Sequence, residues 1–412
     1  MNLVIGILIL LICCIGNAEW WVVLINRRHA LKFRHSVLHR IRKFHDFGLT
    51  VIPVVMVAFV GFGRNGLLVG GTWSTLAWPQ QGLLLVTGLG FVPFSIGVIR
   101  FQLRKVPAGV VIEHSVLKRP LEGHLSDEIR QSMYGEASNF VRNFPGNQIW
   151  QLEVNRKRFQ IPHRQPATLE GLEHHSSAAV QKSFSVAHFS DVHLIGQPGR
   201  AWQEFVIDEL IALKPDAFVF TGDLLDRMDW LPFVEEQFQR ISQVAPGYFI
   251  LGNHDWHLDW QVIRNTLKKS GWIDLNERHL IAKLNGCDVL LAGTEAPWLG
   301  ENPVVPKPGD EDFRILLSHA PDQRDYAVES QYDLMLSGHN HGGQIALPVI
   351  GPVYSPSQFG VRYAGGIFQH QGMLMHVSRG TGAKDPLRFR CAPEISLLTI
   401  QHSSGSASEG FA

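Results

Sequence analysis

The chain has 412 residues, enough for two or three domains or for one long domain beside a membrane region. Its 37 basic and 37 acidic residues cancel, which argues against binding nucleic acid through bulk positive charge. The four cysteines, Cys13, Cys14, Cys287 and Cys391, have neither zinc-knuckle nor disulfide spacing and read as small buried hydrophobes.

The first hundred residues are apolar in three runs, Met1 to Ile25, Phe47 to Gly63 and Gln81 to Ile99. A helix that crosses a bilayer core needs about 20 such residues, with roughly 17 as the lower limit, so the runs predict a membrane region of about three helical spans over residues 1–100. Pro53 and Pro93 fall inside the later two, where membrane helices tolerate proline. Arg27, Arg28, Lys32, Arg34, Arg40, Arg42 and Lys43 lie between the first two runs, and Arg100, Arg104 and Lys105 follow the third. The intervening loop holds only Arg64. Basic loops stay in the cytoplasm, so the charge pattern predicts an outside N-terminus and a cytoplasmic C-terminal domain. A competing reading takes Gly16-Asn17-Ala18 as a signal-peptidase site, which would put the domain outside. The lack of a basic segment at the extreme N-terminus and the side given to the basic loop oppose it.

Residues 101–183 are polar, rich in His and Arg and poorly periodic, and read as a connector and irregular lead-in. Val110 to Glu113 and Gln148 to Val154 have the composition of short strands, and Leu172 to Lys182, with His174 and His175, that of a loop. From Phe184 a rhythm begins in which short apolar runs end abruptly in polar residues. The runs over 184–190, 217–220, 248–251, 313–317 and 334–336 read as buried strands. Ala201 to Leu213, Trp230 to Val244 and Trp256 to Lys268 have helical spacing between the first three. Strands alternating with helices predict a layered α/β domain over 184–401, followed by a flexible tail over 402–412.

In such sheets ligands gather at the carboxyl ends of strands, and here those ends carry Asp, His and Asn. The blocks are Asp191-Val192-His193, Gly222-Asp223, Gly252-Asn253-His254-Asp255, His319 and Gly338-His339-Asn340-His341. Asp and His at alternate positions after a strand can turn toward one centre. Mixed carboxylate, imidazole and amide donors suit Mn, Fe or Zn. Seven donors, Asp191, His193, Asp223, Asn253, His319, His339 and His341, exceed what one cation takes and suit two divalent ions sharing a carboxylate. A strand position makes His188 a core residue, while His370 and His376 receive no role. His257 and Asp259 read as helix cap or surface as readily as substrate mouth.

In these blocks, taken in order, the chain resembles the calcineurin-like metallophosphoesterase family and its membrane-linked branch, over about Phe184 to Ile400. The resemblance implies a four-layer α-β-β-α sandwich, here preceded by the transmembrane helical region. It implies that Asp191, His193 and His341 bind one metal, that Asn253, His319 and His339 bind the other, and that Asp223 bridges them. His254 would face the substrate, with Asp226 orienting it, and Arg227 would contact phosphate. Glycine turns near the site are implied at Gly365-Gly366 and Gly380-Thr381-Gly382. The implied activity is hydrolysis of a phosphate ester or phosphoanhydride by attack of a metal-activated hydroxide. A lipid or lipid-linked phosphorylated substrate is compatible with the membrane region. A non-enzymatic membrane scaffold or sensor that binds metal and phosphate is the alternative, opposed by the complete donor set and the intact His254 and Asp226 pair.

Overall fold

The computed structural model describes residues 2–29, 31–32, 35–107, 110–120, 144–162, 182–194, 199–382 and 387–402. The loop expected around His174 and His175 and the tail at 403–412 lie outside the described residues. The chain forms two compact units, Met1–Arg104 with Leu347–Arg362, and Lys105–Ala346 with Tyr363–Ala412.

In the first unit the apolar runs are helices: α1 (Leu3–His29), α2 (His35–Met56), α3 (Trp78–Leu89) and α4 (Phe91–Gln102). Among the described residues three stretches are long and apolar enough to cross a membrane, Leu3–Arg28, Arg40–Gly61 and Trp78–Gln102. The third joins α3 to α4 through Gly90, and Pro93 sits in the first turn of α4, where a missing N–H removes no intrahelical bond. Glycine lets α1 approach this junction closely. A Cβ on Gly90 would lie 2.1 Å from the Gly16 carbonyl oxygen, and one on Gly16 would lie 2.0 Å from that of Thr87. Small residues at helix contacts are the usual packing device of apolar helices in lipid.

The second unit opens with β1 (Val111–Pro120) and β2 (Gln151–Ile161), an antiparallel pair. Then come β3 (Ser183–Phe189), α5 (Arg200–Ala212), β4 (Ala217–Thr221), α6 (Leu231–Ser242) and β5 (Gly247–Ile250). The one-turn α7 (Asn253–Trp256) precedes α8 (Trp260–Lys269) and β6 (Trp272–Asp274). A second series follows as β7 (Arg278–Leu284), β8 (Cys287–Thr294), β9 (Phe313–Ser318), α9 (Arg324–Glu329) and β10 (Leu334–Ser337). The hairpin of β11 (Ala346–Leu347) and β12 (Gly351–Pro352) begins where the chain passes into the first unit, and β13 (Gly366–His370), β14 (Met373–Val377) and β15 (Glu394–His402) complete the second.

Seven strands form one sheet in the order β1-β2-β15-β3-β4-β5-β6, and six form another in the order β13-β14-β10-β9-β8-β7. The first-sheet strands alternate between two cores. Ala187, Phe189, Phe218 and Phe220 pack with Trp202, Leu210 and Phe238 of the covering helices. Phe184, Val186, Val219 and Ile250 pack with Val289, Leu291, Ile315, Leu317 and Leu336 of the other sheet. Burial on both faces explains why these strands read as unbroken apolar runs rather than as alternating ones. The result is the expected four-layer sandwich.

The short strands expected at 110–113 and 148–154 are longer than the sequence suggested and belong to the first sheet, β2 pairing in parallel with β15 from the far end of the chain. Their polar side chains disguised them. Asn155 and Lys157 of β2 are buried because each has an internal partner: Asn155 donates to Glu394 at 2.6 Å, and Lys157 Nζ lies 2.7 Å from His376 Nε2. His376 meets His188 through their Nδ1 atoms at 2.8 Å, and His188 Nε2 lies 2.9 Å from the Thr221 hydroxyl. His188 is thus a core residue, as its strand position implied, and burial pushes it down to about 3.

Candidate metal centre

The candidate donors sit where strands stop. Asp191 and His193 follow β3, Asp223 follows β4, Asn253 opens the turn after β5, His319 follows β9, and His339 and His341 follow β10. Asp191, His193, Asp223, His339 and His341 all have φ between 47° and 69°, the left-handed region that non-glycine residues seldom enter. Five such residues at one site are backbone strain held for the direction in which their side chains point. Glycines make the crowding possible. A Cβ on Gly252 would lie 2.1 Å from Asp223 Oδ1, and one on Gly338 would lie 2.2 Å from Asp191 Oδ2. Gly380 and Gly382 press on the Asp191 turn in the same way, at 2.6 Å from Asp191 Cβ and 1.9 Å from the Val192 oxygen.

The donors converge into two adjoining groups, Asp191 with His193 and His341, and Asp223 with His319 and His339. His193 Nε2 and His341 Nε2 are 3.0 Å apart, and His341 Nε2 lies 3.5 Å from Asp191 Oδ1. In the other group His319 Nε2 is 3.1 Å from Asn253 Oδ1 and 3.2 Å from His339 Nδ1. Asp223 Oδ2 stands between the groups, 3.2 Å from His319 Nε2 and 3.6 Å from His193 Nε2. The seven residues singled out in the sequence are therefore brought together without exception.

Hydrogen bonds fix which ring nitrogen faces inward. His193 donates from Nδ1 to Asp226 Oδ2 at 2.8 Å, and His319 donates from Nδ1 to the Thr221 carbonyl at 2.7 Å. Both acceptors lack a proton to give, so in the neutral form of each ring the lone pair lies on Nε2, toward the centre. Burial opposes charge on His193, but Asp226, Asp223 and Asp191 push it up to about 9. His319 is likewise raised to about 9 by Asp223 and Asp191 against burial. His341 goes the other way, held well below its usual value by burial and by the charges of His193 and Arg388. Convergent imidazole and carboxylate donors of this kind fit divalent cations.

His254 lies beside the group with its Nδ1 bonded to Asp226 Oδ1 at 2.6 Å and about a quarter of its side chain exposed. Its ring meets that of His193 edge-on at 4.7 Å. Asp226 thus holds two imidazoles. Burial acts to raise its carboxyl, yet the bonds from His193 and His254 hold it well below the usual range. Arg227 points elsewhere. Its guanidinium is paired with Asp229 at the surface. Asp259 caps α8 by accepting the Val262 N–H at 3.2 Å, and His370 pairs with Asp325 at 3.2 Å.

Three neighbours received no role in the sequence reading. Asp255, wholly buried, accepts the N–H groups of Gly252, Asp223, Leu224 and Leu225 at 2.9–3.0 Å. Burial and the charge of Asp223 raise it to about 6. Trp298 packs on the group of Asp223, His319 and His339, its ring 5.0 Å from that of His339 and 5.6 Å from that of His319. Arg388, also fully buried, approaches His341 Nδ1 at 3.3 Å. Asp255 sits inside the Gly-Asn-His-Asp block and was legible as part of it, whereas no local pattern marks Trp298 or Arg388.

The calcineurin-like phosphoesterase family model matches residues 184–343. The metallophosphoesterase YkuE of Bacillus subtilis is 31% identical over 231 residues, covering 54% of this chain and 80% of that protein. The phosphodiesterase YaeI of Escherichia coli is 30% identical over 229 residues, covering 53% and 82%. A transmembrane protein with metallophosphoesterase domain from Danio rerio is 27% identical over 241 residues, covering 52% of each. With its donor set complete and these relatives matched along most of their length, the chain belongs to the calcineurin-like metallophosphoesterase family, the metal-dependent hydrolases of phosphoric esters.

Proposed function

We propose that the protein is a membrane-anchored phosphoesterase that hydrolyses a phosphate ester or phosphoanhydride with two divalent cations. In this reading residues 1–100 form three spans, 184–401 the catalytic domain with β2 joined to its sheet, and the basic loops keep that domain in the cytoplasm. The observation that carries the proposal is Asp223, whose Oδ2 adjoins both groups of donors and so suits a carboxylate shared by two cations. Asp191, His193 and His341 would hold one ion, and Asn253, His319 and His339 the other. Paired divalent ions supply charge neutralisation at phosphoryl oxygens and a lowered water pKa.

The protein's own groups complete the chemistry. His254 keeps Nδ1 on Asp226, which leaves Nε2 as the atom that presents a proton to the departing oxygen. Its partial exposure gives substrate a way to reach it. Arg227 would meet phosphate only after releasing Asp229. The name of the E. coli relative favours a phosphodiester as the bond to try first, and the apolar spans favour a lipid or lipid-linked substrate.

The test is hydrolysis by the full chain in detergent, with an aryl phosphomonoester, an aryl phosphodiester and a nucleotide-sugar pyrophosphate. Turnover that requires Mn, Fe or Zn, stops with chelator and is absent from Asp223→Asn supports the proposal. Cation binding without turnover on these substrates or on lipid phosphates in mixed micelles would replace it with a metal-binding scaffold.

A further inference from the structure

One stretch is not used by phosphoester chemistry. Residues 342–361 contain no Asp, Glu, Lys, Arg or His, and they hold Leu347, Val349, Ile350, Val353 and Phe359. The chain leaves the catalytic unit after Ala346, makes the hairpin of β11 and β12, and rejoins that unit at Tyr363, so that Leu347–Arg362 groups with the apolar helices. At the hairpin tip Leu347, Pro348 and Val349 are exposed in succession, Val349 at 71%. Three adjacent apolar side chains facing water are unfavourable unless something covers them.

The backbone at the tip adds a second observation. Val349 has φ 68°, a conformation that a β-branched residue rarely takes and that glycine or asparagine would adopt freely. The valine side chain gains little packing within the chain in return. Its use therefore lies outside the chain.

The tip is fixed at the end of the third apolar stretch. Gln102, the last residue of that stretch, donates its side-chain amide to the Val349 carbonyl. The Phe101 ring packs on Gly351, where a Cβ would lie 2.7 Å from it. Phe101 and Leu103 are themselves exposed. Twenty-five residues of helix measure about 37 Å against a hydrocarbon core of about 30 Å, so the last turn of Trp78–Gln102 emerges among headgroups.

We propose that the hairpin tip at 347–352 is a bilayer-docking element. Leu347, Pro348 and Val349 enter the boundary between headgroups and acyl chains beside Phe101 and Leu103, and the partner is the phospholipid bilayer. The absence of charge along 342–361 suits that depth. This inference rests on the three-span reading of residues 1–100.

The experiment uses the unaltered full chain in nanodiscs that contain a phospholipid with a photoactivatable diazirine high on one acyl chain. Crosslinked peptides are mapped by mass spectrometry. The expected result is lipid on peptides from 78–102 and on the peptide spanning 345–361, several-fold above the level at Val304, which is 91% exposed in the catalytic unit. Val349→Asp is expected to lower the yield at 345–361 several-fold and leave that at 78–102 unchanged. Lipid on 78–102 with only the Val304 level on 345–361 overturns the inference and spares the membrane reading. Lipid on neither overturns both.

Discussion

Asp226 binds His254 through one carboxylate oxygen at 2.6 Å, while its other oxygen takes the Nδ1–H of His193 at 2.8 Å. The sequence assigned this residue to His254 alone. Because the same carboxylate also orients a candidate metal donor, His254 and the candidate metal centre share one support, and removing Asp226 differs from removing His254.

The two substitutions should therefore separate. His254→Ala is expected to lower turnover by roughly 10²–10⁴-fold, the range for loss of a general acid, with cation stoichiometry unchanged. Asp226→Asn is expected to lower turnover and also to weaken cation affinity by about 10–100-fold, as loss of a carboxylate behind a histidine ligand does. Calorimetric titration with Mn²⁺ beside steady-state rates distinguishes them. Equal affinity losses in both would show that His254 is itself a ligand.

Glycine at 252 is a steric requirement. The Cβ added by Gly252→Ala would lie 2.1 Å from Asp223 Oδ1 and 2.5 Å from the Asp223 nitrogen, so the shared carboxylate must move. The expected outcome is loss of cation binding and turnover with the circular dichroism spectrum retained. Gly286→Ala, whose Cβ would meet no described atom within 4 Å beyond its chain neighbours, is strained only by its φ of 79° and should keep cation binding. Full activity in the Gly252 variant would contradict the geometry.

Asp255 holds the backbone beneath the site. Its replacement by alanine leaves the N–H groups of Gly252, Asp223, Leu224 and Leu225 without their acceptor. Unsatisfied buried donors are expensive, and the expected destabilisation is at least about 3 kcal/mol. Denaturant or thermal melts of the detergent-solubilised protein measure it. A loss under about 1 kcal/mol would mean that water replaces the carboxylate.

Glu394, which is not among the candidate donors, predicts a pH dependence. Burial acts to raise its carboxyl, but Arg379 and Lys157 outweigh this and lower it from 4.5 to about 2. It accepts from the Arg379 backbone at 2.9 Å, from the Arg379 side chain at 2.7 and 3.0 Å, and from Asn155 at 2.6 Å. A depressed carboxylate stabilises the fold above its unfolded pKa, and that stabilisation is lost as pH falls through the folded value. The window is thus pH 4.5 down to about 2, and the contribution is about 3 kcal/mol. Glu394→Gln should be less stable than the parent at neutral pH, with the difference shrinking as pH drops through that window. A difference that stays constant would show a packing effect.

Metal removal closes the set. Cations bound only by the folded site should raise the melting temperature as their concentration exceeds Kd, and chelator should reverse the shift. In Asp223→Asn the shift should shrink because the shared donor is weakened.

The sequence by itself determined the candidate donors and the apolar helices, since both are local. A metal donor is announced by its residue type at the end of an apolar run, and a spanning helix by an unbroken apolar stretch long enough to cross. The strands of the central sheet were equally legible, because burial on both faces writes itself as continuous hydrophobicity. Only the tertiary structure decided where polar segments go. Asn155 and Lys157 made the second half of β2 resemble a connector, and their burial depends on Glu394 and His376, more than two hundred residues away. The double duty of Asp226, the approach of Arg388 to His341 and the packing of Trp298 are likewise contacts between distant segments. Such contacts are made when chain ends are folded together, so no spacing along the chain encodes them. The hairpin at 347–352 belongs to the same class: its apolar tip received no role from the sequence, and only the contacts of Gln102 and Phe101 place it at the end of an apolar helix.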